Sequence, residues 1–233
     1  MDYKYIKVEK ADFKYTLTLN RPEKRNAFTP TMVNEIQHAL REANSDDTIK
    51  VVLIKAEGPI FCAGMDLKTF ENPDLDLLNP HIVNRDISLG EVFASLTKPS
   101  IAFVEGNVIA GGFLIILGCT YVFCNPEVQF RLPELALGIF PFQVMASLVK
   151  VMHEKKVLQL CLETDYFDVK KAMDLGIVDG YIEIEKVDKL IYSFENTSTT
   201  ILQAGFKALR DLADVPTAKR FSHLKAILDK HRN

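Results

Sequence analysis

"VEGNVIAGGFLIILG" (Val104–Gly118) runs from the end of an apolar strand through a glycine pair into an unbroken apolar segment. Extended to Pro126, the stretch from Gly106 carries no charge and approaches the roughly 20 residues that span a bilayer. Gly106, Gly111, Gly112, Gly118 and Asn125-Pro126 interrupt it, however, and "TYVFC" (Thr120–Cys124) reads as a strand. The expectation is a buried helix followed by a buried strand, and no membrane span.

Working outward, "SIAFVEG" (Ser100–Gly106) and "IKVVLIKA" (Ile49–Ala56) read as short buried strands, and "YTLTLNRP" (Tyr15–Pro22) alternates until its proline stops it. Thr29-Pro30 opens an amphipathic helix to about Ala43, with Pro30 at the tolerated first position. Downstream, "VMASLVKVMHEKKVLQLCL" (Val144–Leu162) reads as one helix. "DVKKAMDLG" is a short helix capped by Asp168 and ended by Gly176, and "IVDGYI" (Ile177–Ile182) is a strand. From Val187 the pattern is helical only. The fold class is α/β, with a strand-and-helix core to about residue 183 and a helical tail.

Composition agrees with one large domain, or one domain with an appendage: 233 residues, 48% of them apolar and 25% charged. A net charge of -3 gives no general pull toward nucleic acid or anionic membrane. Cys62, Cys119, Cys124 and Cys161 are scattered, with no histidine at metal spacing, so the expectation is reduced, buried thiols in a cytoplasmic protein with no metal site. The N-terminus, "MDYKYIKVEK", lacks the apolar segment of a signal peptide.

Two turns carry chemical potential. "GPIFCAGMDL" (Gly58–Leu67) places Ala63-Gly64-Met65 in a tight turn after a strand, and "GNVIAGGF" sets Gly111 and Gly112 at the start of an apolar helix. Two outward N–H groups from separate turns suit a developing oxyanion, although glycines also serve tight packing. "FRLPELALG" (Phe130–Gly138) carries one carboxylate, Glu134, which by itself reads equally as a turn residue after Pro133. The polar stretch from Asp66 to Leu96, holding His81, Arg85 and Asp86, is either a mobile surface loop or a lid.

The ordered series "LNRPEKRNAF", "FCAGMDL", "KPSIAFVEGNVIAGG", "VQFRLPELALGIFP" and "LETDYFDVKKAMDLGIVD" resembles the crotonase superfamily, the enoyl-CoA hydratase/isomerase family, from about residue 10 to 183. The resemblance implies a ββα spiral core over residues 1–186 and a helical C-terminal region over 187–233 that builds a homotrimer or hexamer. It also implies an acyl-CoA substrate, with coenzyme A entering as part of that substrate and no separate cofactor. Carried over by position, the N–H groups of Met65 and Gly111 form the hole for the thioester oxygen. Lys24 and Arg25 meet the CoA phosphates, and the backbone at Ala63 and Asp66 meets the adenine.

Hydratases of the family use two glutamates. This chain has Leu114 at the first position and Glu134 at the second, as the Δ3,Δ2-enoyl-CoA isomerases do. Phe113, Leu114 and Leu132 are expected to desolvate Glu134 and raise its pKa. Other crotonase reactions, such as weak hydration or decarboxylation of an acyl chain on CoA or a carrier protein, and a non-catalytic binding role stay open. Phe140 and Phe142 replace the family's small residues near the acyl pocket, and the tail is short.

Overall fold

The computed structural model describes residues 1–232. Ten strands form two sheets among them. The first has the order β1 (Ile6–Ala11), β2 (Lys14–Leu19), β3 (Val51–Ala56), β5 (Ser100–Val104), β7 (Tyr121–Cys124) and β10 (Gly180–Tyr181), antiparallel between β1 and β2 and parallel elsewhere. The second has the order β4 (Ile60–Cys62), β6 (Asn107–Ile109), β8 (Gln129–Arg131) and β9 (Phe167–Asp168), with β9 antiparallel.

The pairs β3–β4, β5–β6 and β7–β8 each set one strand in the first sheet and the next in the second, then leave into helix. This repeated ββα turn is the expected two-sheet spiral. The chain leaves the second sheet into α2 (Leu67–Glu71) and α3 (Leu89–Ala94) after β4, into α4 (Phe113–Ile116) after β6, and into α5 (Phe142–Leu148) and α6 (Glu154–Leu162) after β8.

Helix α1 (Pro30–Ser45) is built as expected: Thr29 caps it, accepting from the Met32 N–H at 3.1 Å, and Ile36, Ala39 and Leu40 are buried in the main core. Asp168 caps α7 (Val169–Asp174). A smaller core on the outer face of the first sheet joins Phe13, Val51, Leu53 and Ile101 to Val187 and Ile191 of α8 (Ile184–Ser193). Helices α9 (Thr199–Asp211) and α10 (Arg220–His231) follow, and α10 buries no residue.

Two readings are corrected, and one strand is added to those expected. The charged N-terminus forms β1, whose alternation is weak because an edge strand buries little more than Ile6. As expected, the apolar run after Gly106 holds a buried helix, α4, followed by strand β7, and no described helix is long and apolar enough to cross a membrane; strand β6 and a single 3-10 turn precede α4. The segment from Val144 to Leu162 is two helices, because His153 adopts an extended backbone and caps α6. The stretch from Asp66 to Leu96 is neither unpatterned nor loosely held. Its buried Asp76 accepts from the Tyr5 hydroxyl (3.0 Å) and the Thr31 N–H (2.9 Å), its buried Asn79 donates to Glu35 (2.7 Å), and a Ser88–Glu91 capping box starts α3.

Candidate functional site

A cavity of about 470 Å³ lies where the ends of the spiral turns meet, with Met65, Gly111, Leu114 and Glu134 on its wall. The tight turn after β4 positions Met65. Phe28 N–H donates to the Gly64 carbonyl (2.8 Å), and Asp66 N–H donates to the Phe28 carbonyl (2.9 Å), closing a parallel bridge between Phe28 and Met65. Successive residues of an extended chain present their polar groups to opposite sides, so the N–H of Met65 points away from Phe28. It donates to no group among the described residues.

The second turn packs onto the first. A Cβ at Gly64, which has φ +89°, would lie 2.7 Å from the Ala110 Cβ and 3.1 Å from the Gly111 nitrogen. Ala110 itself is held at φ 52°, a conformation that strains a residue with a side chain and that recurs where a backbone is aimed for function. Gly111 is the second residue of the 3-10 turn Ala110–Gly112 that leads into α4, where first-turn N–H groups lack helical partners. A Cβ on Gly111 would meet the Phe28 ring at 2.8 Å.

Glu134 opens a 3-10 turn (Glu134–Leu137) and is 8% exposed. Its Oε2 is buried without a hydrogen-bond partner among the described residues. Burial pushes its pKa above the ordinary carboxylate range, and its own N–H offsets this only in part. Leu114, nearly fully buried, lines the same cavity. Phe113 and Leu132 are buried in the core and are not on the wall; Phe113 packs on Phe130 and Phe167 (centroids 6.0 and 6.3 Å).

The remaining candidates separate. Lys24 and Arg25 are exposed and lie off the cavity wall; only the Arg25 carbonyl reaches the site, accepting from the Ala63 N–H at 3.0 Å. Ala63 lines the cavity, but its N–H and that of Asp66 are already engaged. The Asp66 side chain caps α2 and pairs with Arg21 at 2.7 Å. Burial alone would raise its pKa, yet the Arg21 hydrogen bond and charge, with the Thr69 N–H, hold it below the ordinary range. Of the loop residues, Asp86 lines the cavity while His81 and Arg85 do not. Phe140 and Phe142, tilted against each other with ring centroids 5.7 Å apart, both line the cavity.

Residues that sequence reasoning missed are Arg21, Asn26 and Phe28, although all three sit inside "NRPEKRNAF". Their signal is a contact made across some 40 residues of chain, which no local pattern reports. The four cysteines are free thiols, with Cys161 pushed up to about 11 by burial and by the charge of Glu134.

The family model described as enoyl-CoA hydratase/isomerase matches residues 15–224. A hydroxycinnamoyl-CoA hydratase-lyase of Pseudomonas fluorescens is 29% identical, across 99% of this chain and 87% of that protein. A Bacillus subtilis protein named "Probable enoyl-CoA hydratase" is 30% identical, across 82% of this chain and 76% of its own length. Among solved structures, Pseudomonas aeruginosa AtuE superposes with a TM-score of 0.85 over 97% of this chain and 91% of that one, at 22% identity, and so shares the fold. The chain belongs to the enoyl-CoA hydratase/isomerase family of the crotonase superfamily.

Proposed function

We propose that this chain isomerises Δ3-enoyl-CoA to Δ2-enoyl-CoA with a single carboxylate. The observation that carries the reading is the buried, unpartnered Oε2 of Glu134 on a cavity where Leu114 stands at the other acid's place. Met65 and Gly111 N–H groups receive the thioester oxygen. The Glu134 carboxylate takes a proton from C2, the electrons shift to the oxygen as a dienolate, and the resulting carboxylic acid returns the proton at C4. The double bond moves from C3–C4 to C2–C3, and the carboxylate is regenerated. A raised pKa suits a group that must act as base and then as acid.

Coenzyme A enters with the substrate, its phosphates toward Lys24 and Arg25 and its adenine toward the backbone at Ala63 and Asp66. The assembly we propose is a homotrimer or a hexamer of two trimers, in which exposed Phe221, Leu224 and Leu228 of α10 become covered.

A second reading, water addition, is favoured by Asp86 on the cavity wall and by the hydratase names of the relatives. Incubation in D2O with a 3-enoyl-CoA and, separately, a 2-enoyl-CoA decides between them. Bond migration with deuterium uptake, reduced about 10³-fold by Glu134→Gln with ester binding retained, is the expected result. A 3-hydroxyacyl product overturns the isomerase reading in favour of hydration.

A further inference from the structure

We infer that Arg21 is a positioning residue for the Met65 N–H, the donor that the proposed function assigns to the thioester oxygen; the inference rests on that assignment. Arg21 is a buried cation, its side chain 7% exposed, and the Asp66 partner's is 15% exposed. One guanidinium nitrogen, Nη1, donates both to the Asp66 Oδ2 (2.7 Å) and to the Ala27 carbonyl (2.9 Å). Ala27 precedes Phe28, and Asp66 follows Met65. A single nitrogen therefore staples both sides of the Phe28–Met65 bridge, one residue away from each bridging member.

The guanidinium is itself fixed. Its carbon lies 5.2 Å from the Tyr5 ring centroid, a cation–π contact that orients the plane. The Arg21 N–H donates to the Asn26 Oδ1 (2.8 Å), and the Asn26 Nδ2 donates to the carbonyls of Glu57 and Ile60 (2.8 Å each), which flank the turn between β3 and β4. Arg25 and Asn26 both adopt the left-handed conformation, at φ 55° and 51°, which lets the chain turn back onto this network. A continuous polar path thus runs from the sheets, through Asn26 and Arg21, to the two residues that aim the Met65 amide.

Energetics separate positioning from simple stabilisation. A buried ion pair adds little stability over apolar residues of the same volume, because desolvation offsets its attraction. What it adds is a fixed direction, and an amide aimed at a developing charge depends on direction within a few tenths of an ångström. Arg21 is also too buried, and too engaged with Asp66, to serve the CoA phosphates as an exposed arginine would.

The test uses the full-length protein and a 2-enoyl-CoA labelled with ¹³C at the thioester carbonyl, whose bound stretching frequency is read by difference infrared spectroscopy. The kcat and KM for isomerisation of a 3-enoyl-CoA are measured in parallel. In the wild type the carbonyl stretch falls on binding. Arg21→Met loses most of that fall and lowers kcat about 10²-fold, the scale of losing one oxyanion donor, with KM little changed. Arg21→Lys restores part of both, because one nitrogen makes both bonds. Should Arg21→Met fail to fold, Asp66→Asn, which keeps a cap for α2 but removes the charge, must show the same loss in reduced degree. A folded Arg21→Met or Asp66→Asn with the wild-type carbonyl shift and kcat overturns the inference and leaves the oxyanion assignment standing. An unshifted carbonyl in the wild type overturns both together.

Discussion

Two regions of the molecule, the N-terminal packing off the cavity wall and the wall itself at Glu134, treat their carboxylates in opposite ways. On the N-terminal side Glu35 accepts from the Lys4 and Tyr5 N–H groups (2.6 and 2.9 Å) and from Asn79 (2.7 Å), Asp76 holds Tyr5 and Thr31, and Asp66 holds Arg21. On the other side Glu134 is buried with one oxygen unpartnered. Acids of the first kind are anchors: their oxygens are held by hydrogen bonds, and Asp66 is also paired with the Arg21 charge. The second kind is suited to gain and lose a proton, since burial raises its pKa and only its own N–H opposes this. The proposed isomerisation uses the second kind as its proton shuttle.

The sharpest way to break this contrast is at the donors. Gly64→Ala puts a Cβ 2.7 Å from that of Ala110 at φ +89°, so the two turns must separate. Turnover of a 3-enoyl-CoA is expected to fall about 10²- to 10³-fold, with a smaller change in binding, as measured by steady-state kinetics. An unchanged kcat would mean that the spacing of the turns is irrelevant to the chemistry.

Next in size is Asp76→Ala, which strips partners from the Tyr5 hydroxyl and the Thr31 N–H in a buried setting. It is expected to cost about 2 kcal/mol in denaturant unfolding. A neutral result would show that the connection from Asp66 to Leu96 is not held by its buried acid.

The rate itself supplies the third measure. Glu134 works first as a base, so kcat/KM rises with pH and levels off above its raised pKa, roughly tenfold per unit on the limb, and that limb lies above the ordinary carboxylate range. A limb at ordinary carboxylate pH would show that desolvation does not tune this acid.

The smallest effect is the most diagnostic of the contrast. Glu134→Gln is expected to stabilise the fold by about 1 kcal/mol at neutral pH, because an unpaired buried charge is removed. A raised folded pKa means that stability is lost as pH climbs from the unfolded pKa through the folded one, so the gain is largest above that window and vanishes at acid pH. Asp66 runs the other way: its pKa is lowered, so its contribution is present above the unfolded pKa and is lost as pH falls through the folded one. Thermal melts at two pH values check the sign.

The sequence carried the elements with strong local chemistry. Thr29-Pro30, Asp168 and Gly176 marked helix ends through caps and turn glycines, and the short apolar strands stood out by composition. Edge strand β1 was hidden because half of its alternation faces solvent, and the break at His153 was hidden because neither proline nor glycine marks it. The two glycine turns and Glu134 were also legible in the sequence, and the resemblance marked Leu114, whereas Asp86, also on the cavity wall, was read only as a loop residue.

Only the tertiary structure decided how these groups are aimed. The Met65 amide points away from Phe28, 37 positions earlier, because Phe28 claims the groups on either side of it, and Arg21 and Asp66 fasten the bridge across a comparable distance. Burial, a product of the tertiary packing, pushes the Glu134 pKa up. Burial and hydrogen-bond direction arise from long-range packing, whereas capping, turn and apolar patterns are written within a few neighbouring residues. That separation of range is why caps, turns and apolar strands could be read in the chain and the geometry of the cavity could not.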